Sequence, residues 1–171
     1  MSDITLGIIG GGQLGSMLAI AAKKLNVKTV IFSDDADAPA QNFCNQFVSG
    51  KYDDKQKVDD FVNQVNVVTY EFENIPFETL NEINKLKPVL PKPSVNRLIQ
   101  HRLAEKDFIN KLNIRTTRYV SIEKKSDIDA LKDFLPGILK TTTLGYDGKG
   151  QHPINSTEEL NSINIDFSSG Y

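Results

Sequence analysis

The sequence contains a single cysteine, Cys44, among 171 residues. A lone thiol closes no internal disulfide, which fits a reducing, cytoplasmic compartment and leaves Cys44 as a small apolar filler. Tryptophan is absent, and the two histidines, His101 and His152, stand far apart without partners at metal-ligand spacing. No apolar run approaches the ~20 residues that span a bilayer, so no membrane segment is expected. The start, Met1-Ser2-Asp3-Ile4, carries no basic region, so a secretory leader is not expected either. Excess charge is also missing: the net charge is -2, with no basic stripe interleaved with aromatics. Nucleic acid and anionic membrane surfaces are therefore not expected partners. No internal repeat or low-complexity tract is visible.

What is present is an alternation of short apolar runs and helical patterns. Residues 4–9 read as a buried strand that stops at glycines, and residues 27–32 as a second, rich in β-branched residues. Residues 47–49, 67–70 and 89–90 read as three more. Between the first two, Leu14, Met17, Leu18, Ala21 and Leu25 form one stripe at helical spacing, expected to face the core. Val58, Phe61, Val62 and Val65 form another, and residues 77–86 form a helix with Pro76 at its start. This order predicts an α/β, doubly wound parallel sheet of Rossmann-like form, covered on both faces, over residues 1–93. Prolines 88, 91 and 93 mark its end.

Residues 94–171 read as the first part of an α+β domain, incomplete because too little chain follows to close a second core. A helix capped by Ser94 is expected to run through Leu112. A strand at 119–122, a helix at 126–134, strands at 137–142 and 151–154, and a short helix capped by Ser156 or Thr157 follow.

Three motifs carry chemistry. Gly10-Gly11-Gly12-Gln13-Leu14-Gly15 places G-x-G-x-x-G between a predicted strand and helix. Glycines let the backbone turn tightly, and amide groups at a helix start favour an anion. With Asp34 about 20 residues on, the pattern also permits a dinucleotide site, hence an NAD-dependent oxidoreductase. Glu71 and Glu73, in Thr69-Tyr70-Glu71-Phe72-Glu73-Asn74, put two carboxylates at the carboxyl end of a strand, where doubly wound sheets bind ligands. They point the same way if the strand continues. An amine or a ribose diol suits such a pair; a dehydrogenase has no evident use for it. Lys140 sits in an apolar strand just before Gly145-Tyr146-Asp147-Gly148-Lys149-Gly150-Gln151. A glycine-rich hairpin with a fixed cation beside it can close over nucleotide phosphates. It is not a P-loop, since it lacks G-x-x-x-x-G-K-[ST].

In this order and spacing, GGGQLG at 10–15, VVTYEFENIP at 67–76, RLIQHRLAEKDFINKL at 97–112 and GYDGKGQ at 145–151 resemble the N5-carboxyaminoimidazole ribonucleotide synthetase family of the ATP-grasp superfamily. The resemblance implies ATP- and bicarbonate-dependent carboxylation of 5-aminoimidazole ribonucleotide through carboxyphosphate, with Mg²⁺ on the phosphates and a homodimer as the assembly. It implies ATP contacts at Arg102, Lys140 and Gly145, Tyr146, Asp147, Gly148, Lys149, Gly150 and Gln151. It implies ribonucleotide contacts at Gly12, Gln13, Leu14, Glu71 and Glu73, with Tyr146 and Lys149 reaching from the loop. The Mg²⁺ ligands and the remaining catalytic groups are expected in the family's other half, so no metal ligand is assigned here. Thr141-Thr142-Thr143-Leu144 lacks the arginines often found before this loop.

Overall fold

The structure is a computed structural model that describes residues 4–145 and 150–163. It divides into two compact units, Met1–Arg97 and Leu98–Tyr171.

The first unit is built on four parallel strands: β1 (Thr5–Ile9), β2 (Lys28–Ser33), β3 (Gln46–Ser49) and β4 (Val67–Tyr70). Their order is β3-β2-β1-β4, so the chain winds outward from β1 in both directions. Successive side chains serve opposite faces. Ile8 and Ile31 pack with Ala19 of α1 (Gln13–Lys24) on one face. Ile9, Val30 and Phe32 pack on the other with Phe61 of α2 (Lys55–Val62) and with Leu80 and Ile83 of α3 (Phe77–Leu86). Burial on both faces explains why these strands read as continuous apolar runs rather than as alternating ones. The expected doubly wound α/β fold is present.

Two expectations for this unit are corrected. The stripe of Leu14, Met17, Leu18 and Leu25 does not face the core; all four are exposed. Helix α1 buries Gly15, Ser16, Ala19 and Ala22 instead. Small residues win because the helix lies very close to the strand it follows: a Cβ at Gly15 would sit 2.5 Å from the Gly10 carbonyl oxygen. The fifth strand at 89–90 is only a single parallel bridge, Val68 to Val89, held by Val68 N donating to Pro88 O and Leu90 N donating to Val68 O.

The helix expected from Ser94 to Leu112 is two helices, α4 (Pro93–Ile99) and α5 (Arg102–Lys111). His101, not Ser94, is the capping residue that matters, its Nδ1 accepting from Ala104 N at 3.4 Å. The break has a tertiary cause: Arg102 N donates to Thr142 O at 2.8 Å, an acceptor outside the helix. No residue of α5 is buried, so Phe108 and Leu112 are not core residues.

In the second unit, β5 (Gly137–Lys140) and β6 (Gln151–Ile154) pair antiparallel, Lys140 opposite Gln151. Residues 119–122 form no strand. Lys125–Phe134 is 3₁₀ rather than α-helical. Its apolar residues Ile128 and Leu131 join Ile122, Leu139, Ile154 and Leu160 in a small core. The last helix, α6 (Thr157–Ser162), is capped as expected by Ser156, whose Oγ accepts from Glu159 N.

Candidate functional site

In the first unit the glycine turn and Glu71 form one feature. Strand β1 ends at Ile9, and Gly10 then adopts φ +110, a conformation that L residues with side chains rarely enter. Gly10 N donates to Phe32 O at 2.9 Å, which keeps the turn on the sheet end. Strand β4 stops at Tyr70, and Glu71 N donates to Ile9 O at 3.1 Å. That bond delivers the Glu71 side chain to the turn. Its Oε1 accepts from Gly12 N at 3.1 Å. A Cβ at Gly10 would lie 2.6 Å from the same oxygen, so a glycine is required for the carboxylate to fit.

Because β4 ends at Tyr70, Glu71 and Glu73 do not continue a strand as a matched pair. Glu71 is half-buried against the turn, whereas Glu73 is exposed. Gly12, Gln13 and Leu14 are exposed at the start of α1, beside the carboxylate. The structure therefore brings Gly12 and Glu71 into contact and leaves Glu73 outside that contact.

The same geometry opposes a dinucleotide. A pyrophosphate would compete for the Gly12 amide that Glu71 already engages and would meet a like charge. Asp34, the expected ribose ligand, lies beside Tyr52, whose phenol is held well above its ordinary range by burial and by the Asp34 charge. Tyr52 itself is 8% exposed and packs edge-on against Phe32, the ring centroids 5.4 Å apart.

In the second unit the loop between β5 and β6 is fixed at its root. Thr141 N donates to Gly150 O at 2.9 Å. Gly150 has φ +65, and a Cβ there would lie 2.6 Å from Thr141 Oγ1. Arg102 binds the first arm of the loop three times. Its backbone N donates to Thr142 O at 2.8 Å, Nε to Thr141 O at 3.2 Å and Nη2 to Gly145 O at 3.1 Å. The guanidinium is thus largely spent on the loop backbone. Lys140 is half-buried at the end of β5. Tyr146, Asp147, Gly148 and Lys149 lie outside the described residues.

Arg102 and Lys140 also line a cavity of about 640 Å³ together with Lys106, Arg118, Tyr119 and Asp133. Most of the remaining lining is apolar, including Leu103, Ile122, Leu131 and Leu139, so these charged side chains stand at the edge of a largely hydrophobic cavity. Lys106 lies 5.2 Å from the Tyr119 ring centroid and Arg118 4.6 Å from that of Phe134. Tyr119 Oη donates to Asp107 Oδ1 at 2.6 Å and accepts from Asn110 Nδ2 at 3.0 Å. Sequence reasoning missed Lys106, Arg118 and Tyr119. Lys106 had one signal, its place four residues after Arg102 on the same helix face. Arg118 and Tyr119 sit in irregular backbone and had none.

Among the described residues no three His, Cys, Asp or Glu side chains converge as a metal site. The described residues therefore do not offer a carboxylate cage for Mg²⁺.

Comparison with known proteins bears on both units. Residues 3–100 match the ribonucleotide synthetase preATP-grasp domain, and residues 107–169 match the ATP-grasp domain. A bifunctional purine synthesis protein, purC/E, of Dictyostelium discoideum is 41% identical over 91% of the chain, which spans 16% of that protein. The N5-carboxyaminoimidazole ribonucleotide synthase of Brucella melitensis is 38% identical over 94% of the chain, which spans 45% of its length. The crystal structure of N5-carboxyaminoimidazole synthetase from Staphylococcus aureus complexed with ADP superposes with a TM-score of 0.87 at 35% identity. It covers 93% of this chain and 43% of its own. The chain thus spans less than half the length of these relatives.

Proposed function

From the membership of this chain in the ribonucleotide synthetase preATP-grasp family, we propose that it carries the front portion of an ATP-dependent carboxylating ligase. The reaction is transfer of a carboxyl group from bicarbonate to the amine of 5-aminoimidazole ribonucleotide, with ATP cleaved to ADP and phosphate. Attack of bicarbonate on the γ-phosphate gives carboxyphosphate and ADP. The amine nitrogen then takes the carboxyl carbon, phosphate leaves, and the amine loses a proton.

The observation that carries this reading is the Glu71 carboxylate held in the glycine turn by Gly12 N. A carboxylate in that place suits an amine-bearing ligand, with Gln13 and Leu14 exposed beside it. Glu73 is a weaker contact, since it stands outside the turn. In the second unit Lys140 meets the phosphates, and Arg102 acts through the loop root it holds. Gly145, Gly150 and Gln151 frame the loop; Tyr146, Asp147, Gly148 and Lys149 complete the proposed nucleotide contacts on the strength of the resemblance. Mg²⁺ on the phosphates, a homodimer and cytoplasmic residence are part of the same proposal and rest on that resemblance too. Among the described residues no helix is long and apolar enough to cross a membrane.

The test is ADP release from ATP, Mg²⁺ and bicarbonate, with and without 5-aminoimidazole ribonucleotide, on protein of recorded intact mass spanning the full length of its relatives. Release that depends on the ribonucleotide is expected. Release that ignores it, or that follows glycinamide ribonucleotide instead, overturns the substrate assignment. Glu71→Gln should raise the KM for the ribonucleotide while sparing that for ATP.

A further inference from the structure

We propose that Tyr70 and Asn96 bind one buried water between them, and that Asn96 is a positioning residue that clamps both ends of residues 71–74, directly at Ile75 and through the water at Tyr70.

Two polar atoms of the first unit lead to this site. Tyr70 Oη and Asn96 Oδ1 are both buried, and neither has a hydrogen-bond partner among the described residues. Buried polar atoms are nearly always paired, with protein or with ordered water. Asn96 is the more unusual of the two. It is 0% exposed, and on α4 only Pro93 is buried with it. An apolar side chain would fill that place without burying an amide. The amide is half used: Nδ2 donates to Ile75 O at 3.2 Å, which leaves Oδ1 as a free acceptor.

The two atoms belong to neighbours. Tyr70 ends β4 and packs against the core cluster that contains Ile75, whose carbonyl Asn96 holds. Burial pushes the Tyr70 phenol above its ordinary range, and the backbone amide of Asn96 opposes that rise, which puts the phenol beside Asn96. The phenol is a donor and the amide oxygen an acceptor, yet no direct bond joins them. One water satisfies both: its oxygen accepts from Tyr70 Oη, and one of its hydrogens goes to Asn96 Oδ1.

The place of this water in the chain gives it a consequence. Tyr70 and Ile75 flank the irregular segment that carries Glu71 and Glu73. A single side chain on α4 thus ties down both ends of that segment. Arg97, the next residue, holds α4 by a different contact, its guanidinium 4.7 Å from the Phe77 ring centroid. Loss of that stack loosens α4 without removing either arm of the clamp. Neither the water nor the clamp depends on the function proposed above.

The experiment has two readouts on the 171-residue chain. A crystal structure should show one ordered water within about 3.2 Å of both Tyr70 Oη and Asn96 Oδ1. A direct bond between those atoms, or no water at the pair, overturns the proposal whatever else is measured. Amide exchange at Glu71, whose N–H donates to Ile9 O at 3.1 Å, reports the clamp. Relative to the amides of β2, it should quicken roughly tenfold in Tyr70→Phe, which keeps the ring and loses only the hydroxyl. Asn96→Ala should quicken it at least as much, and the double variant no more than Asn96→Ala alone, because Tyr70 acts through Asn96. Arg97→Ala should leave the ratio unchanged. Native exchange in Tyr70→Phe overturns the clamp, and so does an equal rise in Arg97→Ala, which would make the effect one of general α4 packing. If Asn96→Ala does not fold, Tyr70→Phe and Arg97→Ala decide the matter by themselves.

Discussion

The guanidinium of Arg102 donates from Nη2 to the backbone oxygen of Gly145 at 3.1 Å, across 43 residues of sequence. With Nε on Thr141 O, the planar fork spans two carbonyls of one loop arm. Arginine can do this because its donors are fixed in one plane; a lysine ammonium cannot span both.

Arg102→Lys therefore separates charge from clamp. The cation is kept while the fork is lost. Amide exchange at Thr141, whose N–H closes the loop root on Gly150 O, should quicken at least tenfold. Lys140→Ala should leave that rate unchanged, since among the described residues no side-chain hydrogen bond joins Lys140 to the arm, and its backbone pairing with Gln151 survives the substitution. Equal exchange in Arg102→Lys and the native chain would mean that the loop root holds without the fork.

Lys140→Ala tests the proposed contact between Lys140 and the phosphates. Loss of one charge-assisted contact costs about 1.5–3 kcal/mol, which corresponds to a rise of roughly tenfold to a hundredfold in the KM for ATP at constant temperature. The comparison of KM for ATP in the native and variant ligase checks it. An unchanged KM would remove Lys140 from the nucleotide site.

Much of this architecture was legible in the sequence because it follows from local periodicity. Apolar runs broken by glycine and proline gave the parallel sheet, and Ser156 ahead of two glutamates gave the start of α6. The face of α1 was misread because hydrophobicity named Leu14, Met17 and Leu18, whereas the close approach of Gly15 to the Gly10 carbonyl decided the matter sterically. The α4–α5 break was invisible because its cause, the bond from Arg102 N to Thr142 O, joins residues 40 apart. At the site, Glu71 was legible as a carboxylate at a strand end. Its union with Gly12 was not, since a turn and a residue 59 positions away meet only once β1 and β4 pair. Lys106 and Arg118 stayed hidden among ordinary surface charges until the cavity gathered them.

Gly15→Ala tests the steric account of α1. The added Cβ would stand 2.5 Å from backbone, which no side-chain rotation relieves. Overpacking of this kind costs about 1–3 kcal/mol. Urea unfolding of the chain should show a lower midpoint with little change in slope. Ala22→Gly, on the same face, would lose stability through helix propensity instead, about 1 kcal/mol. A Gly15→Ala midpoint equal to the native value would show that α1 lies off the sheet.

The phenol of Tyr52 provides a prediction in pH. Burial, then the charge of Asp34, push its pKa well above the ordinary tyrosine value, which is about 10 in an unfolded chain. Folding therefore favours the protonated phenol. Below about pH 10 both states hold the proton and the full stability is present. Above it the unfolded chain releases the proton while the folded chain keeps it, so the unfolded state is favoured and stability falls as pH rises. Tyr52→Phe removes the titrating group but keeps the ring against Phe32, 5.4 Å between centroids in the native chain. Urea midpoints taken between pH 9 and 11.5 should fall more steeply for the native chain than for the variant. The variant should be the less stable of the two at pH 8, where its lost hydroxyl contacts with Asp34 and Ser33 dominate, and the gap should narrow with each step upward. Parallel curves would mean that Tyr52 reaches solvent and ionises freely, which its burial beneath Phe32 and α3 does not allow.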